Sequence, residues 1–297
     1  MLASKYGPWI EAPKVDGSEL RLFCVPPVGM GSSCFHAWAP QLPGVELMPL
    51  ELPGRGVRMA ERLCCDSLVH LAQQALDGIG RGIFESHPFV FFGHSFGAWL
   101  AYEMVQELRR RGWPLPLKLY VSANRAPQLH GLRHDPDRTQ PALAGLDEES
   151  FWHHFERRYG VNPDLQSPYI RAHVRNILQG DFQLLETYGP SSLEKLPLPL
   201  CGLCAKGDGR CRPQQLSAWA EVAETFEERW FEDVRQPHFW ATEHRYIVDN
   251  PSSLLRFLSA DLPIVGSGDF SPGSGIPGPL PAVPVEASEQ PKGCGIL

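Results

Sequence analysis

Pro88-Phe89-Val90-Phe91-Phe92-Gly93-His94-Ser95-Phe96-Gly97-Ala98-Trp99-Leu100-Ala101-Tyr102 is the stretch that decides the fold. An apolar run of strand length ends at Gly93, Ser95 follows two residues later, and Gly97 opens a helical pattern carrying Ala98, Leu100, Ala101 and Met104. The G-x-S-x-G spacing between a strand and a helix is that of a nucleophile elbow. A serine on so tight a turn presses the residues two positions either side against backbone, where only glycine or something as small fits. Ser95 is therefore the candidate nucleophile. His94 reads as a packing or hydrogen-bonding residue, because the neighbour of an elbow serine points away from it.

A hydroxyl needs an adjacent base, and the base needs an orienting carboxylate. In elbow-bearing folds these follow in the chain order Ser, then Asp or Glu, then His, on loops after late strands. Leu196 to Cys204 reads as a buried strand, and the turn Ala205-Lys206-Gly207-Asp208-Gly209 carries one acid, Asp208. Asp233 competes with it but falls inside the next expected strand, 228–234. Just beyond that strand, Gln236-Pro237-His238-Phe239-Trp240 supplies His238 as the candidate base. His244 is the nearest alternative, in a polar stretch that reads as the approach to a helix. An oxyanion hole requires two backbone N–H groups. The residue after the nucleophile gives Phe96, and the glycine-bearing loop Pro26-Pro27-Val28-Gly29-Met30-Gly31, after the early strand Arg21 to Val25, gives Val28.

Several blocks in this order resemble one family. Leu22-Phe23-Cys24-Val25-Pro26-Pro27-Val28-Gly29, Leu52-Pro53-Gly54-Arg55-Gly56-Val57-Arg58, the elbow, Asp181-Phe182 with Leu185-Glu186-Thr187-Tyr188, and Pro237-His238-Phe239 look like the type II, or external, thioesterases of polyketide, nonribosomal peptide and fatty acid synthases. The resemblance implies an α/β-hydrolase: a mostly parallel central sheet flanked by helices, with an inserted helical lid. It implies hydrolysis of acyl thioesters on the phosphopantetheine arm of an acyl or peptidyl carrier protein, and the roles above for Ser95, Asp208, His238, Val28 and Phe96. Neither cofactor nor metal is implied. The chain departs from the family in having Phe96 for the usual methionine, which would reshape the acyl pocket. It also has Gln236-Pro237 where two glycines precede the histidine, and Asp208-Gly209 for Asp-Pro. A carboxylesterase or acyltransferase would use the same triad, and a non-catalytic interaction protein could keep the same fold.

Composition agrees with one large enzyme domain: 297 residues, 43% hydrophobic and 21% charged. A formal charge of -7 offers no footprint for nucleic acid. An acidic carrier protein would then need a local basic patch, for which Arg55, Arg58 and Arg62 or Arg109, Arg110 and Arg111 are candidates, set against the ordinary reading of solvated helix ends. No segment approaches a membrane span, and the start lacks a secretory apolar run, so a cytoplasmic monomer with reduced cysteines is expected. Cys201, Cys204 and Cys211 read as core thiols rather than zinc ligands. Residues 1–262 form the expected enzyme domain, with the lid at about 127–190. Residues 263–297 are a Gly/Pro/Ser-rich tail with no apolar periodicity, expected to be disordered. The tail ends Cys294-Gly295-Ile296-Leu297, a match to a prenylation box that would attach the chain weakly to membranes through Cys294.

Overall fold

The computed structural model describes residues 6–11, 18–136, 141–232, 234 and 243–263. The tail with Cys294, the competing acid Asp233 and the expected base His238 lie outside the described residues.

The strands are β1 (Leu20–Val25), β2 (Val45–Pro49), β3 (Phe89–His94), β4 (Leu119–Ser122), β5 (Leu196–Ala205) and β6 (Ala223–Phe231). They pair in parallel throughout, in the order β2-β1-β3-β4-β5-β6. Strands covered on both faces read as unbroken apolar runs, and every residue of β1 and β3 is buried. The edge strand β6 instead keeps exposed and half-buried residues along most of its length. That weaker signal explains its boundary: the strand starts at Ala223 and ends at Phe231, rather than spanning 228–234.

The helices are α1 (Leu68–Ile79), α2 (Arg81–Glu85), α3 (Phe96–Arg110), α4 (Glu148–Tyr159), α5 (Pro168–Glu186), α6 (Pro213–Ser217), α7 (Tyr246–Asp249) and α8 (Ser252–Asp261). α3 is buried from Phe96 through Leu108, which marks it as the central helix behind the elbow, and α1 packs beside it. One large core joins both faces of the sheet. A second, smaller core of Leu143, Phe151, Trp152, Leu178 and Phe182 belongs to α4, α5 and the segment before them. The inserted helices thus have an apolar cluster of their own, and Val28 and Leu185 are packed against both cores. Among the described residues no helix is long and apolar enough to cross a membrane.

Candidate active site

Ser95 sits between β3 and α3 with φ 54° and ψ -122°. Ser95 and Ala123 are the non-glycine residues with positive φ among those described. Such a backbone is strained for an L side chain and persists only where its surroundings impose it. A Cβ on Gly93 would lie 2.1 Å from the Gly97 carbonyl oxygen, and one on Gly97 would lie 2.2 Å from that of Val25. Neither contact is tolerable, so the two glycines are dictated by the turn. The turn is also tied to β4: Ser95 N–H donates to Ser122 O at 2.8 Å, and Asn124 Nδ2 donates to Ser95 O at 2.7 Å.

Asp208 follows β5 on the turn the sequence indicates, and its side chain is fully buried. Its Oδ1 accepts the Arg210 N–H at 2.7 Å, and the Cys204 thiol donates to Oδ2 at 3.7 Å. The histidine that faces it is His244. His244 Nδ1 lies 2.9 Å from Asp208 Oδ2 and 3.2 Å from Oδ1, while Nε2 lies 3.0 Å from Ser95 Oγ. The ionised carboxylate can only accept, so Nδ1 carries the ring proton and Nε2 is left to accept from the serine. Burial alone would raise the Asp208 carboxyl, but the His244 charge, its hydrogen bond and the Arg210 N–H together hold it below the usual aspartate value.

The position expected for His238 is therefore taken by the alternative, His244. β6 ends earlier than its sequence suggests, so more chain separates it from the site. His244 sits in a single 3-10 turn, Glu243–Arg245, directly before α7.

Phe96 is the first residue of α3, so its N–H has no partner within the helix. Its ring is buried and is not among the residues lining the cavity beside Ser95. Val28 lines the cavity at its other side, with Pro27 and Met30. The rest of the wall combines Phe155, Tyr159, Leu165 and Phe182 from the inserted segment with Ile247 and Val248 from α7. The lining is thus mostly apolar, with polar side chains at His94, Ser95, His244 and Arg245 and at Asn162 of the inserted segment.

A thioesterase domain model matches residues 20–262. The chain belongs to the thioesterase family. It is 28% identical over 268 residues to the gramicidin S biosynthesis protein GrsT of Aneurinibacillus migulanus, covering 88% of this chain and 96% of that protein. It is 31% identical over 204 residues to the thioesterase PikA5 of Streptomyces venezuelae, covering 68% and 69%. The RedJ thioesterase from the prodiginine pathway of Streptomyces coelicolor superposes with a TM-score of 0.68 at 29% identity, over 83% of this chain and 87% of that one.

In this thioesterase the Arg55 and Asp181 motif residues are buried partners. Asp181 accepts from Arg55 Nη2 at 2.7 Å on Oδ1 and from Arg55 Nη1 at 2.9 Å on Oδ2. Asp181 Oδ2 also accepts the Gly29 N–H at 2.8 Å, and Arg55 Nη1 donates to Met30 O at 3.1 Å. The inserted helix α5 therefore clamps the loop that carries Val28. Arg58 is buried too, donating to Glu51 O and lying 3.9 Å over the Trp9 ring. This corrects the sequence expectation of a basic surface patch there: Arg55 and Arg58 are each about nine-tenths or more buried and serve the loop structure. Arg110, the last residue of α3, and Arg111, which follows it, both pair with Glu107 of that helix. Cys201, Cys204 and Cys211 are free, buried thiols, and no cluster of three metal-binding side chains occurs among the described residues.

Proposed function

We propose that this chain hydrolyses acyl thioesters on the phosphopantetheine arm of an acyl or peptidyl carrier protein, with Ser95 as nucleophile, His244 as base and Asp208 as the orienting acid. The observation that carries this reading is the continuous contact from Asp208 through His244 to Ser95 Oγ, beside a mostly apolar cavity. The biosynthetic proteins to which the chain is similar support the choice of a carrier-bound substrate.

In the reaction, Ser95 Oγ bonds the thioester carbonyl carbon while His244 Nε2 takes its proton, and the carbonyl π pair moves onto oxygen. The N–H groups of Val28 and Phe96 are the donors for that oxyanion. Collapse breaks the C–S bond, and His244 gives its proton to the leaving thiolate. Water then attacks acyl-Ser95, loses a proton to His244, and the acid departs as Ser95 recovers its hydrogen. Asp208 keeps Nδ1 protonated and stabilises the imidazolium in both halves.

If the carrier protein supplies binding energy away from the reacting carbonyl, acyl-carrier protein will be hydrolysed with much higher kcat/KM than the same acyl group on a short thiol or on p-nitrophenol. Equal efficiencies would reassign the chain as a general esterase.

A further inference from the structure

His94 stands beside the nucleophile in sequence, yet its side chain reaches the base. Its Nε2 lies 2.8 Å from the main-chain oxygen of His244, and its Nδ1 lies 2.8 Å from Ser122 Oγ. Ser122 Oγ is in turn 2.6 Å from Tyr246 OH. All three of these side chains are buried.

The proton positions follow from what each atom can accept. A carbonyl oxygen only accepts, so His94 Nε2 is protonated. Burial and the neighbouring His244 push the His94 ring down to about 3, so it is neutral and its Nδ1 accepts. Ser122 spends its one hydrogen there, and Tyr246 OH donates to Ser122. The chain runs one way: Tyr246 to Ser122 to His94 to the His244 carbonyl.

We propose that His94 is a positioning residue for the reaction, holding the main chain of His244 at the distance from which its ring meets both Ser95 and Asp208. This rests on the triad assigned above. A closed circuit results: the His94–Ser95 peptide bond, the Ser95 Oγ to His244 Nε2 contact, and the return from His244 O to His94 Nε2. The circuit matters because His244 lies in one short 3-10 turn, which fixes little geometry alone. Tyr246, two residues on, anchors the same turn through Ser122 on the end of β4. The base is thereby registered to the ends of the two strands that also hold the nucleophile.

The test uses the full chain and two readouts. One is turnover of an acyl-carrier protein. The other is the labelling rate of Ser95 by a fluorophosphonate, which reports nucleophile activation whatever the natural substrate and so separates failure of this proposal from failure of the substrate reading. His94→Phe keeps a ring but removes the donor, and a shift of the base of the order of 1 Å lowers kcat and the labelling rate by about 10²-fold with KM unchanged. His94→Gln keeps an N–H near the same place and restores most of the loss. Ser122→Ala, the milder change, costs one hydrogen bond to the ring and lowers both rates by about fivefold. Should His94→Phe fail to fold, the Gln and Ser122→Ala variants decide. Labelling within twofold of wild type in Ser122→Ala, or a His94→Gln variant as slow as His94→Phe or below a tenth of wild type, would overturn the assignment.

Discussion

The elbow Gly93–Gly97 and the turn Glu243–Arg245 meet at one oxygen atom, Ser95 Oγ, and are built on opposite principles. In the elbow, geometry is imposed by backbone contacts over five consecutive residues: Gly93 against Gly97, Gly97 against Val25, Ser95 forced to φ 54°. The turn has no such constraint, and its place is set by groups far away in sequence, at His94, Ser122 and Asp208. A locally imposed geometry leaves a mark in the residue string. One imposed from a distance leaves only the identity of the side chain, and the chain has 11 histidines to choose from.

The largest effect tests which histidine belongs to the turn. Ser95→Ala and His244→Gln each remove a member of the contact chain, and each is expected to lower kcat by about three orders of magnitude or more while the fold is kept, with Asp208→Asn reaching up to roughly 10⁴-fold through the wrong tautomer. His238→Gln is expected to change kcat by less than about fivefold, because His244 already stands within hydrogen-bond distance of both Ser95 Oγ and Asp208 and the reaction needs one base. Steady-state rates on one acyl-carrier protein check all four. A His238→Gln loss equal to that of His244→Gln would place the base back at the earlier position and dissolve the contrast between the two regions.

Legibility in the sequence follows the same division. The strand, the elbow and its helix were readable because burial on both faces makes an unbroken apolar run and the turn admits only glycine at two fixed positions. Asp208 was readable because it is the sole acid on a glycine turn after a strongly apolar strand. That His244 is the histidine meeting Ser95 and Asp208 was hard to read for a physical reason: β6 is an edge strand whose half-exposed residues blur its end, so distance along the chain from that end was a poor ruler. The one signal that favoured His244 was the polar approach to a helix. Arg55 and Arg58 were misread as surface cations because a buried ion pair and a cation over an indole look the same in sequence as solvated charge.

The second prediction extends the long-range class to the loop that carries Val28. Asp181 is completely buried and Arg55 nearly so, so removing one partner strands the other charge. Asp181→Leu and Arg55→Leu should each destabilise the protein by about 3–5 kcal/mol in urea unfolding, because the remaining ion is left without compensation. The double variant Arg55→Leu/Asp181→Leu should be less destabilised than the sum of the two single changes, as expected for two groups in one ion pair. Its stability can recover while its kcat stays low, because Gly29 N–H has still lost its acceptor and the loop its clamp. Additive destabilisation in the double variant would mean that the two residues act separately and that the loop is shaped locally, as the elbow is.

The smallest effect falls on the residue where the two regions join. His94 is pushed down to about 3 by burial and by its neighbour His244, whereas in the unfolded chain it titrates near 6.5. Between those values the unfolded state binds a proton that the folded state refuses, so stability is fully present above about pH 6.5 and declines as pH falls, by up to about 1.4 kcal/mol per pH unit from this group alone. Total stability against pH does not isolate it, because Asp208 is held low and acts in the same sense, while burial holds Glu51, Glu103 and Glu186 high and acts oppositely. The difference between wild type and His94→Gln does isolate it, since glutamine has no proton to take up. That difference, measured from urea midpoints at pH 7, 6, 5 and 4, should be constant down to about 6.5 and then shift steadily in favour of the variant as the medium becomes more acidic. A flat difference over the whole range would mean that the folded protein protonates His94 as readily as the unfolded chain does. A doubly protonated ring has no lone pair for Ser122, so the one-way chain of donors behind His244 would then not exist in that form.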